Sequence, residues 1–194
     1  MLTTPTTGPT LHITPDEMTG RTGRYEKRVR DLAGLYTDEA AFAAWLSADP
    51  DGLVYHVDEF RPSNRAGDLI LGISTLSAGV VGREFHMTRG HIHAQPDRTE
   101  IYQCLSGHGL MLMETLEGET VVTKLEPGVV AYVPPCHIHR SVNLGGSDLR
   151  TLFCYPADAG QDYGIIEHSH GMRHLVVTGT DGWSLEENSH YVSR

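Results

Sequence analysis

An all-β jelly roll or barrel behind a short, partly helical N-terminal arm is the fold this 194-residue sequence predicts. Three observations predict it. Apolar or alternating runs of four to eight residues follow one another from residue 53 to residue 178, turn-forming residues punctuate them closely, and helical periodicity is confined to the first 50 residues. Many short strands with even spacing close into two facing sheets around an interior that can hold a ligand.

The first ten residues, rich in Thr and Pro, read as a flexible lead. Thr14-Pro15-Asp16-Glu17 offers an N-cap threonine, a proline at the first helical position and a glutamate three after the cap, which predicts a short helix stopped near Gly20. Residues 38–48 are Ala-rich, with Ala41, Phe42, Trp45 and Leu46 at helical spacing, and end before Asp49-Pro50-Asp51-Gly52. Strands are expected over 53–57, 69–76, 82–88, 101–105, 109–114, 120–125, 129–133, 140–143, 149–155 and 175–178. Glu117-Gly118 and Gly145-Gly146 read as hairpin turns, and Glu126-Pro127-Gly128 as a turn with proline second and glycine third. The expected division is an arm over 1–50, a barrel over 51–180 and a C-terminal tail over 181–194. The length suits one well-filled core and is short for two.

A net charge of -10 without a run of Lys or Arg argues against nucleic acid or an anionic membrane as partner, and favours a small ligand. No stretch approaches the roughly 20 apolar residues of a membrane span, and the first nine residues lack the apolar region of a signal peptide, so a cytoplasmic protein is expected. Cys104, Cys136 and Cys154 are widely spaced and odd in number, which suggests free thiols; Cys104 or Cys136 could line a pocket.

The most informative stretch is Gly90-His91-Ile92-His93-Ala94-Gln95-Pro96-Asp97-Arg98-Thr99-Glu100-Ile101-Tyr102. In an extended strand His91 and His93 share a face, and Glu100 joins them from the next strand after a turn at Pro96-Asp97. His139 lies downstream, between Pro134-Pro135 and Asn143. Three imidazoles and a carboxylate suit a divalent first-row ion such as Fe, Mn, Ni or Zn, with positions left for substrate oxygens. The same alternation turns Arg89 and Arg140 away from the cavity and places Tyr102 beside Glu100. His168 and His170 form a second HxH without supporting partners and are expected at the surface.

These spacings match the two signature motifs of the cupin superfamily: six residues between His93 and Glu100, six more before Gly107, then Gly128 six before Pro134 and three residues between His139 and Asn143. The motif's usual glycine is Cys136 here. Within the cupins the chain resembles the archaeal-type phosphoglucose isomerases from about residue 28 to residue 177. The resemblance rests on Met87-Thr88-Arg89-Gly90-His91-Ile92-His93, Asp97-Arg98-Thr99-Glu100-Ile101-Tyr102, Glu126-Pro127-Gly128, Tyr132-Val133-Pro134-Pro135 and Tyr155-Pro156-Ala157-Asp158-Ala159-Gly160-Gln161-Asp162-Tyr163-Gly164.

The resemblance implies a cupin double-stranded β-helix, a homodimer, and a metal held by His91, His93, Glu100 and His139. It implies a phosphate pocket at Tyr55, Ser74, Thr88, Gly90 and Tyr155, and interconversion of glucose 6-phosphate and fructose 6-phosphate, a step of glycolysis and gluconeogenesis. Glu100 is then the candidate base, Tyr102 its neighbour and Tyr163 an orienting hydroxyl. Gln161 stands where the family has histidine, which bears on rate or substrate, because an amide has no useful pKa. The net charge does not oppose a sugar phosphate: fields between exposed charges fade over about 8 Å, while a divalent ion and Glu100 leave the cage at about +1. Two other readings share the ligand set: an oxygen-dependent or decarboxylating cupin, and a non-catalytic sugar-phosphate-binding protein.

Overall fold

Strands are the main regular element of the computed structural model, which describes residues 9–15, 17–180 and 182–194. In chain order they are β1 (His12–Ile13), β2 (Met18–Thr19), β3 (Gly23–Arg28), β4 (Leu53–Phe60), β5 (Leu69–Leu76), β6 (Val80–Val81), β7 (Glu84–Phe85), β8 (Glu100–Ser106), β9 (Gly109–Thr115), β10 (Thr120–Leu125), β11 (Val130–Val133), β12 (His137–Asn143), β13 (Leu149–Pro156), β14 (His174–Gly179) and β15 (Gly182–Glu187). A 3-10 turn (Val29–Leu32) and α1 (Glu39–Ala48) separate β3 from β4, and α2 (Gly164–His168) follows β13.

One sheet runs β11-β8-β13-β5-β4-β3; facing layers run β10-β9-β12 and β15-β14-β7-β6. Period-two alternation sets which side chains fill the space between them. In β13 the buried positions alternate strictly, so Leu149, Thr151, Phe153 and Tyr155 point inward. With Ile70, Leu76, Leu110, Leu125 and Ile138, all fully buried, they form one core, each large aliphatic side chain contributing roughly 1.5–3 kcal/mol of burial. Helix α1 starts where Asp38 accepts a hydrogen bond from Ala41 N (2.9 Å). Its Trp45 stacks on His86 at 4.8 Å, closing one flank.

The structure revises five expectations. The segment after Thr14 forms the β1–β2 hairpin rather than a helix: Glu17 N donates to Thr14 Oγ1 (3.1 Å) and Thr14 N to Glu17 O (3.0 Å). Too few residues separate the cap from Gly20 to repay helix nucleation; residues 1–8 and Asp16 lie outside the described residues. The boundary expected at residue 50 is crossed by the sheet, because β3 pairs with β4 as an edge strand. The expected tail carries β15, paired with β14 along its length. Beyond it Tyr191 donates to the fully buried Glu114 (3.0 Å), which is also ion-paired with Arg194. Gly145-Gly146 is no hairpin turn: it links β12 in one layer to β13 in the other. Over 82–88 only Glu84–Phe85 is a strand, since Gly82 turns the chain at φ +58°.

Candidate metal centre and substrate cavity

His91 and His93 sit in an extended segment that runs beside β12, where His91 and His139 exchange backbone hydrogen bonds of 3.2 and 3.0 Å. Gly90 begins this segment at φ +79°, a left-handed conformation that suits glycine. Glu100 opens β8 opposite Val133. These elements bring His91, His93, Glu100 and His139 together, with one ligand atom from each lying within 4.8 Å of the others. All four are buried.

The hydrogen bonds around the cage orient its rings. His93 Nδ1 donates to Arg98 O (2.9 Å) and His139 Nδ1 to His137 O (3.2 Å), which leaves both Nε2 atoms turned inward. Those atoms lie 3.2 and 3.0 Å from Glu100 Oε2. With Nδ1 carrying the proton, an Nε2 lone pair faces a carboxylate lone pair, so each contact needs a proton or a cation between the atoms. His91 Nε2 is buried without a hydrogen-bond partner, and burial, then the neighbouring His139, holds its pKa well below the ordinary histidine value, so it presents a lone pair. Burial alone would raise the Glu100 pKa, but when a proton occupies those two contacts the imidazoles of His139 and His93 donate to it and bring it down to about 2. An orphaned imidazole nitrogen, two oriented ones and an ionised carboxylate fit a divalent cation.

The cage opens into a cavity of about 490 Å³, within the range of small-molecule sites. Tyr55, Ser74, Thr88, Gly90 and Tyr155 all line it, as do Tyr102 and Tyr163. The wall touches the cage through ring contacts: Tyr155 with His93 and Tyr163 with His91, both at 5.6 Å, and Tyr102 with His139 at 6.0 Å. Burial pushes the Tyr55 phenol up to about 12 and the Tyr102 phenol well above its ordinary value, so both remain hydrogen-bond donors. Beside Tyr102, the ionised Glu100 adds to that rise.

Several wall residues were not anticipated. Arg89 lines the cavity instead of turning away, its guanidinium 5.5 Å over the Tyr163 ring; the left-handed Gly90 breaks the alternation on which the expectation rested. Arg140 is buried behind it, donating to Arg89 O (3.0 Å), as expected outside the cavity. Tyr25, Lys27, Glu59, Arg61 and Ser141 also contribute, the first two from β3. Neither cysteine named above lines the cavity: Cys104 is buried with its thiol toward Ser106 O (3.6 Å), and Cys136 is exposed. His168 and His170 are exposed, as expected.

The family model described as Glucose-6-phosphate isomerase (GPI) matches residues 26–194. A glucose-6-phosphate isomerase of Sinorhizobium medicae is 53% identical over 178 residues, which are 91% of this chain and 83% of that protein. Those of Thermococcus gammatolerans (44% over 154 residues, 79% and 80% of the two chains) and Pyrococcus furiosus (43% over 151 residues, 78% and 79%) are also similar. Among solved structures, an oxalate oxidase in complex with glycolate superposes with a TM-score of 0.48 at 16% identity, over 58% of this chain and 56% of that one. Among the described residues no helix is long and apolar enough to cross a membrane.

Proposed function

The chain belongs to the glucose-6-phosphate isomerase family, its reaction is the interconversion of glucose 6-phosphate and fructose 6-phosphate, and we propose that it works with a divalent first-row ion held by His91, His93, Glu100 and His139. The observation that carries the metal assignment is the pair of imidazole nitrogens turned on Glu100 Oε2 at 3.0 and 3.2 Å beside the unpartnered His91 Nε2. Such an ion supplies a Lewis acid for the oxygens on C1 and C2 of the sugar.

The protein's own groups then divide the work. Tyr55, Ser74, Thr88, Tyr155 and the Gly90 amide hold the phosphate with neutral donors, which fixes the sugar's register in the cavity. Glu100 accepts the proton from C2 of the open-chain aldose while the electron pair passes into a C1–C2 double bond and the C1 carbonyl π pair passes onto O1. Glu100, its proton now exchangeable with solvent, protonates C1 while the O2 hydroxyl proton passes to O1 and the carbonyl re-forms at C2, giving the ketose. Glu100 is ionised, the state in which a carboxylate can accept a proton. Tyr102, held protonated beside it, donates to a substrate oxygen, and Tyr163 orients the sugar from the opposite wall.

Turnover of fructose 6-phosphate in D2O tests this route. Proton transfer predicts solvent deuterium in the glucose 6-phosphate formed; product free of deuterium assigns a hydride shift between C2 and C1 instead. Oxygen uptake with turnover would move the chain to the oxygen-dependent reading.

A further inference from the structure

We infer that Lys27 is the cation that holds the substrate's phosphate, an assignment that rests on the sugar-phosphate reading above. In the antiparallel pair of β3 and β4, Lys27 lies directly opposite Tyr55, and Tyr25 opposite Val57. Opposed residues of such a pair project to the same face, and all four line the cavity. One strand further in, Val57 pairs with Ser74, so the ammonium shares a wall with two of the hydroxyls assigned to the phosphate.

The other cations of this cavity are already engaged. Arg61 forks onto Glu59 through Nε (3.1 Å) and Nη2 (3.2 Å), and Arg89 is paired with Glu167 while its guanidinium covers Tyr163. Glu26, next to Lys27 in sequence, is held by Arg28 and Arg24. Among the described residues no hydrogen bond or ion pair engages the half-buried Lys27 ammonium. A compact charge with three rotatable donors, set among neutral hydroxyls, is a phosphate-binding arrangement that does not need a bidentate arginine.

The test uses the metal-loaded enzyme with Lys27→Met and Lys27→Arg, reading kcat and KM for fructose 6-phosphate and, by calorimetry, the affinity for inorganic phosphate. Lys27→Met raises KM about 10- to 100-fold, the effect of one lost charge-assisted hydrogen bond, and weakens phosphate binding by a similar factor. The change in kcat stays within about threefold, as for lost uniform binding, and Lys27→Arg recovers most of both. Circular dichroism and melting confirm folding, with Lys27→Gln as the second neutral variant should Lys27→Met be unstable. Wild-type KM and phosphate affinity in the neutral variants overturn the assignment, as does a loss confined to kcat. Phosphate titration needs no turnover, so an inactive wild-type enzyme would refute the isomerase reading while the titration still decides Lys27.

Discussion

The Tyr163 hydroxyl donates a 2.6 Å hydrogen bond to the side-chain carbonyl of Gln161, and both residues line the cavity beside His91. The amide holds the phenol in one orientation without offering a titratable group, so Gln161 acts by positioning Tyr163. Gln161→Ala and Tyr163→Phe should each lower kcat/KM about tenfold, the loss expected for one hydrogen bond in the site. The double variant should lose little more than either single one. Full additivity in a double-mutant cycle would show that the two residues act separately.

Arg98 links the cage to a surface ion pair. Its carbonyl accepts from His93 Nδ1 (2.9 Å), and its guanidinium forks onto Asp158 at 2.6 to 3.2 Å. Asp158→Asn should weaken metal affinity about tenfold, the lower end of what outer-sphere partners contribute, measured by competition with a chelator. The hydrogen bond from Arg98 holds the Asp158 carboxyl below the usual carboxylate range. Its contribution to stability is therefore complete above about pH 4 and is lost as the pH falls below that. In metal-free protein the urea midpoint should drop less steeply between about pH 5 and pH 3 in Asp158→Asn than in wild type. Equal slopes would contradict this.

Cys136 sits at φ +60° in the loop before His137, a left-handed conformation that costs a non-glycine residue roughly 1–2 kcal/mol. Its side chain is exposed, so little packing is lost on removing it. Cys136→Gly should stabilise the protein by about 1 kcal/mol, allowing for the entropy glycine adds to the unfolded chain, and raise Tm by about 2–4 °C for a chain of this size. Cys136→Ala, which keeps the Cβ, should give no gain. A Tm at or below wild type for the glycine variant would refute the strain.

Much of this site was legible because its signal is periodic. His91, His93, Glu100 and Tyr102 lie where alternation across a strand, a turn and a second strand puts them, and most barrel strands fall within a few residues of their expected bounds. Residues escaped where the period fails. Gly90 reverses the phase for Arg89. The charged run Arg24-Tyr25-Glu26-Lys27-Arg28 hid an edge strand, since edge strands carry charge on their open side, and with it Tyr25 and Lys27 were missed. The alternation of Arg24, Tyr25, Glu26 and Lys27 held a partial signal: Tyr25 and Lys27, of one phase, both line the cavity, whereas of the other phase only Glu26 reaches its rim, paired with Arg24 at 3.9 Å. The register that sets Lys27 against Tyr55 comes only from folding two segments together.

Metal content and turnover measured on the same samples test the central claim most directly. After chelation, adding back one divalent ion at a time should restore glucose 6-phosphate formation in proportion to bound ion, saturating at about one per chain as expected for a single four-ligand cage, while His139→Ala and His91→Ala bind the ion weakly and turn over at background rate. Full turnover by protein shown to hold no ion, or stoichiometric tight binding that survives both substitutions, would contradict the account.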